Sequence, residues 1–389
     1  MFGQKSMYTP FGTSFGFSNS QYMQNSSIFG NNYSKAIQTQ TNQKLEREPV
    51  LSLIGLGDPI VDISAEVDNQ TVKRYGLEWG RTVYVNERTI GIFEELEKKD
   101  QVSYIPGGSV QNTIRVLAKL INKNENTKNK FKISMIGCVG GDNYREKIIN
   151  ALNICGVNPI LETIPNLKTS RCGACIYKKE RCLITELDAS KNLSNNFIEQ
   201  NMEEILKHDA IIIEGYLLQS KLDMCKKLSE IFNKNNKIVI QTLSAVFMVQ
   251  NHIEKIMEIA NMADIIVGNI EEIEVFAGGP YTDKNDTFEA IHKKLSRKNR
   301  LLVVTNGAKS TFCSKYDYEN NVLEFVISCF PKKIKNEDIV DLNGAGDAFL
   351  GGFLCGYIQG KCLVECLKNG NDAAGLILKN VGCTFPKNY

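Results

Sequence analysis

The amino-acid sequence predicts an α/β protein with a doubly wound, mostly parallel sheet flanked by helices and a small β-rich lid. From Val50 onward, short apolar runs alternate with amphipathic stretches. Continuous apolar strands that are separated by helices are typical of a parallel sheet covered on both faces. Two further segments instead alternate polar and apolar residues, which is typical of a small, half-exposed sheet.

Six apolar runs are predicted to be strands of the main sheet, and they lie at 50–57, 132–140, 209–215, 237–243, 263–269 and 300–307. Amphipathic or mixed stretches at 110–121, 145–154 and 288–296 are predicted to be helices between them. The two alternating segments, about 62–86 and 169–188, are predicted to form a lid over this main domain, which spans 49–389.

Residues 1–48 differ in composition from the rest of the chain. They are rich in Ser, Asn, Gln, Gly and aromatic residues, and their first acidic residue is Glu46. Such a segment buries too little apolar surface to offset its ordering entropy, so we expect a disordered, low-complexity tail. A nonessential tail is the simpler interpretation, and a targeting or self-association role stays open because transit peptides also lack acids.

The overall composition excludes several classes of protein. The 389 residues are 42% apolar and 23% charged with a formal net charge of +2, which gives no reason to expect nucleic acid or an acidic membrane as partner. No run of 18 apolar residues and no secretory signal pattern is found. The twelve cysteines are expected to be reduced core thiols. Cys172 and Cys175 lack a second pair or a nearby histidine, so zinc is not predicted.

Polar residues cluster where the predicted strands end. Asp58 and Asp62 follow the first strand, Glu214 closes another, and a glycine-rich turn at 341–347, DLNGAGD, precedes an apolar helix. Because ligands of open α/β sheets bind beyond the carboxyl ends of the strands, these residues predict a shared cleft. The GxGxxG and GxxxxGK[ST] patterns are absent, so the best candidate for a phosphate-binding loop is 344–346.

The stretch DLNGAGDAFLGGFL at 341–354 resembles the C-terminal signature of the ribokinase-like small-molecule kinases. The motifs that resemble the adenosine kinase branch of that family are GDPIVDI (57–63), GGSVQN (107–112), NIEE (269–272), TNG (305–307) and GCTFP (382–386). The match is colinear from Leu53 to Pro386. It implies a cytoplasmic, monomeric enzyme of purine salvage that uses ATP and Mg²⁺ to phosphorylate the 5′-hydroxyl of adenosine, giving AMP.

The resemblance assigns the chemistry to the glycine-rich turn. Asp347 is expected to be the general base that accepts the hydroxyl proton, although a carboxylate at a helix start also complements the helix dipole. Backbone N–H groups of Gly344, Ala345 and Gly346 are expected to form an anion hole, and the same glycines suit a tight turn. Arg181, in the lid, is expected to reach the phosphates, and a solvated strand charge is the alternative.

The remaining site residues are carried over from the same family motifs. Residues expected to bind the nucleoside sugar are Asp58, Asp62, Gly107, Gly108, Ser109 and Asn112, with a turn or helix cap as the alternative role for Asp62 and Ser109. Those expected to wall the purine, or else to be plain core, are Cys172, Leu183, Leu187, Tyr216 and Leu217. Those expected to bind ATP are Thr305, Asn306, Gly307, Asn343, Gly344 and Gly346, and Asn269 and Glu272 are expected to organise Mg²⁺ through water unless they only cap a helix.

Three residues depart from the family pattern. Asp58 stands where the family commonly has asparagine, Leu342 replaces a threonine, and Glu214 replaces a small apolar residue. Two alternatives stay open, and Asp58 and Glu214 are the departures that support the first of them. One is a related kinase for another nucleoside or a sugar, such as a ribokinase or a guanosine- or inosine-preferring kinase. The other is an inactive nucleotide-binding regulator, against which the intact base and GAG turn argue.

Overall fold

The computed structural model describes residues 50–128, 130–177, 180–279, 281–295, 299–386 and 389. All of them belong to one compact unit, Thr41–Tyr389. The tail predicted at 1–48 lies outside the described residues. None of the helices in the described part of the chain is long and apolar enough to cross a membrane.

The described residues form fourteen strands and twelve α-helices. The strands are β1 (Ser52–Leu56), β2 (Ile60–Glu66), β3 (Thr82–Tyr84), β4 (Ser103–Gly107), β5 (Lys132–Gly140), β6 (Asn158–Ile164), β7 (Arg171–Tyr177), β8 (Glu180–Glu186), β9 (Ala210–Ile213), β10 (Ile238–Thr242), β11 (Ile265–Asn269), β12 (Leu301–Thr305), β13 (Thr311–Asp317) and β14 (Val322–Cys329). The helices are α1 (Asn69–Arg74), α2 (Ile92–Glu97), α3 (Ser109–Lys123), α4 (Asn143–Cys155), α5 (Asn195–Gln200), α6 (Met202–Ile205), α7 (Leu222–Lys234), α8 (Val246–Ala260), α9 (Ile270–Ala277), α10 (Lys284–Lys294), α11 (Ala345–Ile358) and α12 (Leu363–Ile377). Short 3₁₀ turns lie at Ala189–Asn192, Gly215–Gln219 and Asn336–Asp338.

The main sheet has nine strands in the order β14-β13-β12-β11-β10-β9-β1-β5-β6. Its pairs are parallel from β6 to β12, and β13 and β14 add an antiparallel edge. The predicted fold class is confirmed, and each of the six predicted strands and three predicted helices is present within a few residues of its predicted bounds. Three strands were not predicted: β6 and β14, which are the two partly buried edge strands, and β13, which lies between β14 and β12.

The strands of the main sheet are apolar throughout because both faces are covered. Leu53 and Ile54 are neighbours on β1, and both are fully buried. Successive strand side chains point to opposite faces, and these two pack into separate hydrophobic clusters. This two-sided burial explains why the central strands show no alternation of polar and apolar residues.

A second sheet of five strands, in the order β3-β8-β7-β2-β4, is built from the two alternating segments and from β4. The segment 62–86 was predicted to hold only strands and turns, but it also forms α1, whose N-cap Asp68 accepts a hydrogen bond from the Thr71 amide at 2.7 Å. The sequence analysis also missed β4. It contains Pro106, which a strand tolerates because β4 lies at the edge of the sheet.

Candidate active site

A cavity of about 370 Å³ opens where the loops after the main-sheet strands meet the second sheet. It is lined by β2, β7 and β8, by the start of α3 and by the turn that leads into α11. The predicted site residues that line it are Asp58, Asp62, Gly108, Ser109, Asn112, Cys172, Arg181, Leu183, Leu187, Tyr216, Asn343, Gly344 and Asp347. Residues that follow separate strands therefore line one open cavity.

Asp347 lies in the first turn of α11 and faces the start of α3. Its Oδ1 accepts a hydrogen bond from Ser109 Oγ at 2.8 Å, and its Oδ2 accepts one from Asn112 Nδ2 at 2.9 Å. Ser109 and Asn112 are three residues apart, so they share one face of the helix. Burial raises the pKa of Asp347 to about 6, and the two hydrogen bonds oppose that rise because they favour the charged form. Asp347 is therefore oriented through both oxygens and is mostly ionised at neutral pH.

The glycine-rich turn before Asp347 leads directly into the first turn of α11. Gly344 is the N-cap and has a φ of 75°, a left-handed conformation that favours glycine. Gly346 is exposed, and the space where a Cβ would stand is open. The first N–H groups of a helix have no acceptor within the helix, so an exposed helix start attracts anions. Ala345 and Gly346 belong to this first turn beside the cavity, although they do not line it.

Asp62, on β2, is the second carboxylate of the cavity. Burial and then the negative charges of Asp347 and Asp341 raise its pKa to about 7, while Arg115 and Arg181 oppose the rise. An acid that titrates near neutral pH, in a cavity with other acids, is a typical feature of a functional site. Gly107, which was predicted to help it, ends β4 outside the cavity lining, and its carbonyl accepts a hydrogen bond from Gln111 Nε2.

Arg181, on β8, forms an ion pair with Asp341, the first residue of the DLNGAGD turn. Asp341 also accepts hydrogen bonds from the backbone N–H groups of Asn343 and Gly382, each at 2.9 Å. The Arg181 side chain is 30% exposed, and its guanidinium is a paired cation at the cavity wall rather than a solvated strand charge. The pair links the second sheet to the glycine-rich turn.

Asp58 and Glu214 are two buried acids at another side of the cavity. The Asp58 amide donates to Glu214 Oε2 at 3.1 Å. Burial raises the pKa of Asp58 to about 6, opposed by a hydrogen bond from Ser190 and by the charges of Lys221 and Lys191. Burial, and next the charge of Asp58, raise the pKa of Glu214. Two of the three departures from the family pattern are therefore spatial neighbours.

The apolar part of the cavity contains Cys172, Leu183, Leu187 and Tyr216. The Tyr216 hydroxyl donates to the Ser244 carbonyl at 3.2 Å. Leu217, predicted with them, is 3% exposed and packs in the hydrophobic core instead of lining the cavity. Leu217 is therefore a core residue, which was the alternative to a role in the purine wall.

Asn269 and Glu272 form a capping box at the start of α9. The Asn269 side chain accepts from the Glu272 amide at 2.9 Å, and the two Glu272 oxygens accept from the Asn269 amide and Nδ2 at 3.0 and 2.6 Å. Glu272 is 5% exposed, and burial raises its pKa to about 7. Neither residue lines the cavity, and the described part of the chain holds no group of three or more His, Cys, Asp or Glu side chains arranged for a metal.

The predicted ATP-binding residues after β12 lie beside that capping box. Thr305 pairs with Asn269 across the parallel strands β12 and β11. Asn306 follows, and its carbonyl accepts from the Lys309 amide at 2.9 Å. Gly307 has open space where a side chain would stand. None of the three lines the cavity, and they lie at the carboxyl end of β12.

Comparison with known proteins identifies the family of this chain. Residues 78–388 match the family described as "pfkB family carbohydrate kinase". This chain belongs to the pfkB family. It is 28% identical to adenosine kinase 2 of Arabidopsis thaliana, over 86% of this chain and 96% of that protein. The adenosine kinase of Dictyostelium discoideum is also 28% identical, over 86% of this chain and 97% of its own length.

A solved structure extends the similarity to the fold. The Anopheles gambiae adenosine kinase in complex with P1,P4-di(adenosine-5) tetraphosphate superposes with a TM-score of 0.75 at 26% identity, over 86% of this chain and 98% of that one. The resemblance inferred from the motifs is therefore confirmed, as is the ribokinase-like fold.

This pfkB kinase has two aromatic cavity residues that the sequence analysis missed. Tyr84, on β3, is 46% exposed, and Phe247, at the start of α8, is 41% exposed. The Phe247 ring lies 6.0 Å from that of Tyr216. Tyr84 lies in the alternating stretch TVYV. That alternation was the one sequence signal that the Tyr84 side chain faces away from the covered side of its sheet.

Proposed function

We propose that this pfkB family protein transfers the γ-phosphoryl group of ATP to the 5′-hydroxyl of adenosine, giving ADP and AMP. The observation that carries the proposal is Asp347, fixed through both carboxylate oxygens beside the exposed start of α11 and inside the cavity. The choice of adenosine is supported by the named relatives, which are adenosine kinases matched over almost their whole length.

Asp347 acts as the general base. A hydroxyl becomes a good nucleophile only as its proton is accepted, and a carboxylate whose pKa is about 6 is ionised at neutral pH. The 5′-oxygen then forms a bond to the γ-phosphorus while the bond from that phosphorus to the β–γ bridging oxygen breaks, and ADP leaves. Charge that develops on the transferring group is stabilised by the N–H groups of Gly344, Ala345 and Gly346.

The nucleoside is held by the carboxylates and the apolar wall of the cavity. Asp62 accepts hydrogen bonds from the vicinal diol of the ribose, since a carboxylate offers two acceptor oxygens to two donors. Cys172, Leu183 and Tyr216, with Leu187, contact the purine. The dinucleotide named with the Anopheles gambiae relative joins two adenosines through four phosphates, which is consistent with a donor site in line with an acceptor site.

Arg181 moves between two anionic partners in this proposal. It is paired with Asp341 beside the phosphate-binding turn, and the γ-phosphate of ATP competes for the same guanidinium. The second sheet, which carries Arg181, acts as the lid over the site. Its closure would exclude water and so suppress hydrolysis of ATP.

The donor set near α9 fits Mg²⁺ held mainly by phosphates and water. Mg²⁺ keeps several waters and needs only one or two protein carboxylates, and Glu272 has an oxygen-only side chain whose charged form a nearby dication would favour. Asn269 and Glu272 would hold it through water, and Thr305, Asn306, Gly307 and Asn343 would contact ATP. When bound, Mg²⁺ neutralises phosphate charge.

The runner-up is a kinase for another nucleoside or for a free sugar. It is favoured by one observation: Asp58 and Glu214 place an additional acid pair at the cavity. In either case we propose a monomeric, cytoplasmic enzyme whose partners are small molecules, and with adenosine as substrate its role is purine salvage.

A substrate panel with the purified full-length chain tests the proposal. Adenosine, inosine, guanosine and ribose are each supplied with radiolabelled ATP and Mg²⁺, and labelled products are quantified. The expected result is the highest kcat/KM for adenosine, abolished by chelation of Mg²⁺. Asp347→Asn serves as the inactive control. A higher kcat/KM for ribose or for another nucleoside would replace adenosine as the substrate, and no transfer to any of the four would end the kinase proposal.

A further inference from the structure

Glu214 makes a tertiary contact that joins two loops of the candidate site. It follows β9, and its side chain is 1% exposed. Its carboxyl group accepts a hydrogen bond from the backbone N–H group of Asp58 at 3.1 Å, and the backbone N–H group of Val110 is close enough to lower the pKa of Glu214. A Cβ on Gly57 would stand 2.2 Å from Glu214 Oε2, so the turn can approach the carboxyl group only because residue 57 is glycine.

The turn that Glu214 holds packs directly on the start of α3, because a Cβ on Gly57 would stand 2.9 Å from Val110 Cβ and one on Gly108 would stand 2.2 Å from the Asp58 carbonyl oxygen. The N-cap of this helix is Gly108, which has no side chain to accept a hydrogen bond from the first turn. The buried Val110 instead lies close to the Glu214 carboxyl group, which follows β9. The same first turn carries Ser109 and Asn112, the two donors to Asp347.

We propose that Glu214 is a positioning residue, whose buried carboxyl group fixes the first turn of α3 and thereby holds Ser109 and Asn112 against the catalytic base. This inference rests on the proposed function, because it assigns Asp347 the role of base. A small apolar side chain, which the family pattern has at this position, makes no such bond. The chain thus has its own way of fixing a turn that otherwise lacks a side-chain cap.

The charges around this contact make its role measurable by pH. Asp58 and Asp347 are the acids that act on Glu214, and Lys221 and Lys191 act on Asp58. Ser109 and Asn112 lower the pKa of Asp347. If the first turn of α3 shifts, these two hydrogen bonds weaken and the pKa of Asp347 rises, which moves the acid limb of the kcat–pH profile to higher pH.

The test compares Glu214→Ala and Glu214→Gln with a matched control, Gln241→Ala. Gln241 is fully buried on the neighbouring strand β10, and its Nε2 donates to the Ile256 carbonyl at 3.2 Å, away from α3. A misplacement of about 1 Å can lower a rate by roughly 10²-fold. We therefore expect Glu214→Ala to lower kcat by about 10–100-fold with a smaller change in the KM for ATP. Glu214→Gln keeps one acceptor oxygen, so its kcat should lie between that of Glu214→Ala and that of the native enzyme. Gln241→Ala should lower the melting temperature and leave kcat unchanged.

An unchanged kcat and acid limb in both Glu214 variants would overturn the inference, even if their melting temperatures fell like that of the control. If Glu214→Ala does not fold, Glu214→Gln decides by the same acid limb. A crystal structure of the folded variant gives a readout that needs no activity: the Ser109–Asp347 and Asn112–Asp347 distances should exceed 2.8 and 2.9 Å, and unchanged distances would also overturn it. Absence of adenosine phosphorylation by the native enzyme would instead overturn the proposed function alone.

Discussion

Removal of the Ser109 hydroxyl is expected to shift the pH dependence of catalysis. Asp347 accepts hydrogen bonds from Ser109 at 2.8 Å and from Asn112 at 2.9 Å, and both oppose the burial that raises its pKa to about 6. Both bonds are strongest to the ionised carboxylate, which is the form that accepts a proton. Ser109→Ala therefore raises the pKa of Asp347, and activity is lost at a higher pH as the solution is acidified.

The size of the shift follows from the strength of one hydrogen bond. A bond to a charged group contributes about 1.5–3 kcal/mol, and one pKa unit corresponds to about 1.4 kcal/mol. Because the cavity admits water that partly replaces the lost donor, we expect a rise of about one unit, from about 6 to about 7. The ionised fraction of Asp347 at pH 6 then falls from about one half to about one tenth, so kcat at pH 6 falls roughly fivefold. At pH 8, kcat falls by only about a tenth of its value.

The assay is kcat between pH 5 and pH 9 with both substrates saturating, for the native enzyme and Ser109→Ala. Asp62 titrates in the same range, and saturation limits its influence through substrate binding. Ser229→Ala is the control, because this fully buried serine donates to the Cys225 carbonyl within α7, away from the cavity. The reasoning is refuted if the acid limb of Ser109→Ala stays in place, or if kcat falls by the same factor at every pH.

Three further predictions concern single side chains. Asp347→Asn should lower kcat by roughly 10²–10⁴-fold without lowering the melting temperature, and near-normal turnover in steady-state assays would contradict it. Asp341→Ala should lower the melting temperature more than Arg181→Ala, because Asp341 also accepts two backbone N–H groups, and equal losses would contradict this. His292 is fully buried, and burial lowers its pKa from 6.5 to about 3. Thermal unfolding should therefore show stability falling as the pH drops through that range, with a shallower slope in His292→Asn.

The fold could be predicted because its strongest signal is local. A strand such as β1 is buried on both faces, so its apolar run is visible without knowledge of its neighbours. Edge strands and half-exposed elements lack that signal, since one of their faces contacts solvent and carries polar residues. Thus β4, with Pro106, and α1, which depends on the Asp68 cap, were missed although their sequences permit them.

The site could be predicted only as a set of residue types. The motifs identified Ser109, Asn112 and Arg181, and the structure brings all three to the cavity. Their side-chain partners lie far away in sequence: Ser109 and Asn112 contact Asp347, and Arg181 pairs with Asp341. Spacing along a chain does not encode such contacts, because they arise when separate elements pack together. The sequence likewise marked Glu214 as a departure but did not indicate its hydrogen bond to the backbone N–H group of Asp58.

The acids of the cavity and its rim lower the stability of the folded protein at neutral pH, and the rest of the fold must offset this loss. Burial raises the pKa of Asp58, Asp62, Glu214, Glu272 and Asp347. A carboxyl group with a raised pKa in the folded state binds more protons there than in the unfolded chain, so its contribution to stability falls as the pH rises from about 4 to about 7. At neutral pH the free protein therefore holds closely spaced acids that destabilise it. Because hydroxyl donors and cations relieve this repulsion, we expect the cavity to favour ligands that carry such groups.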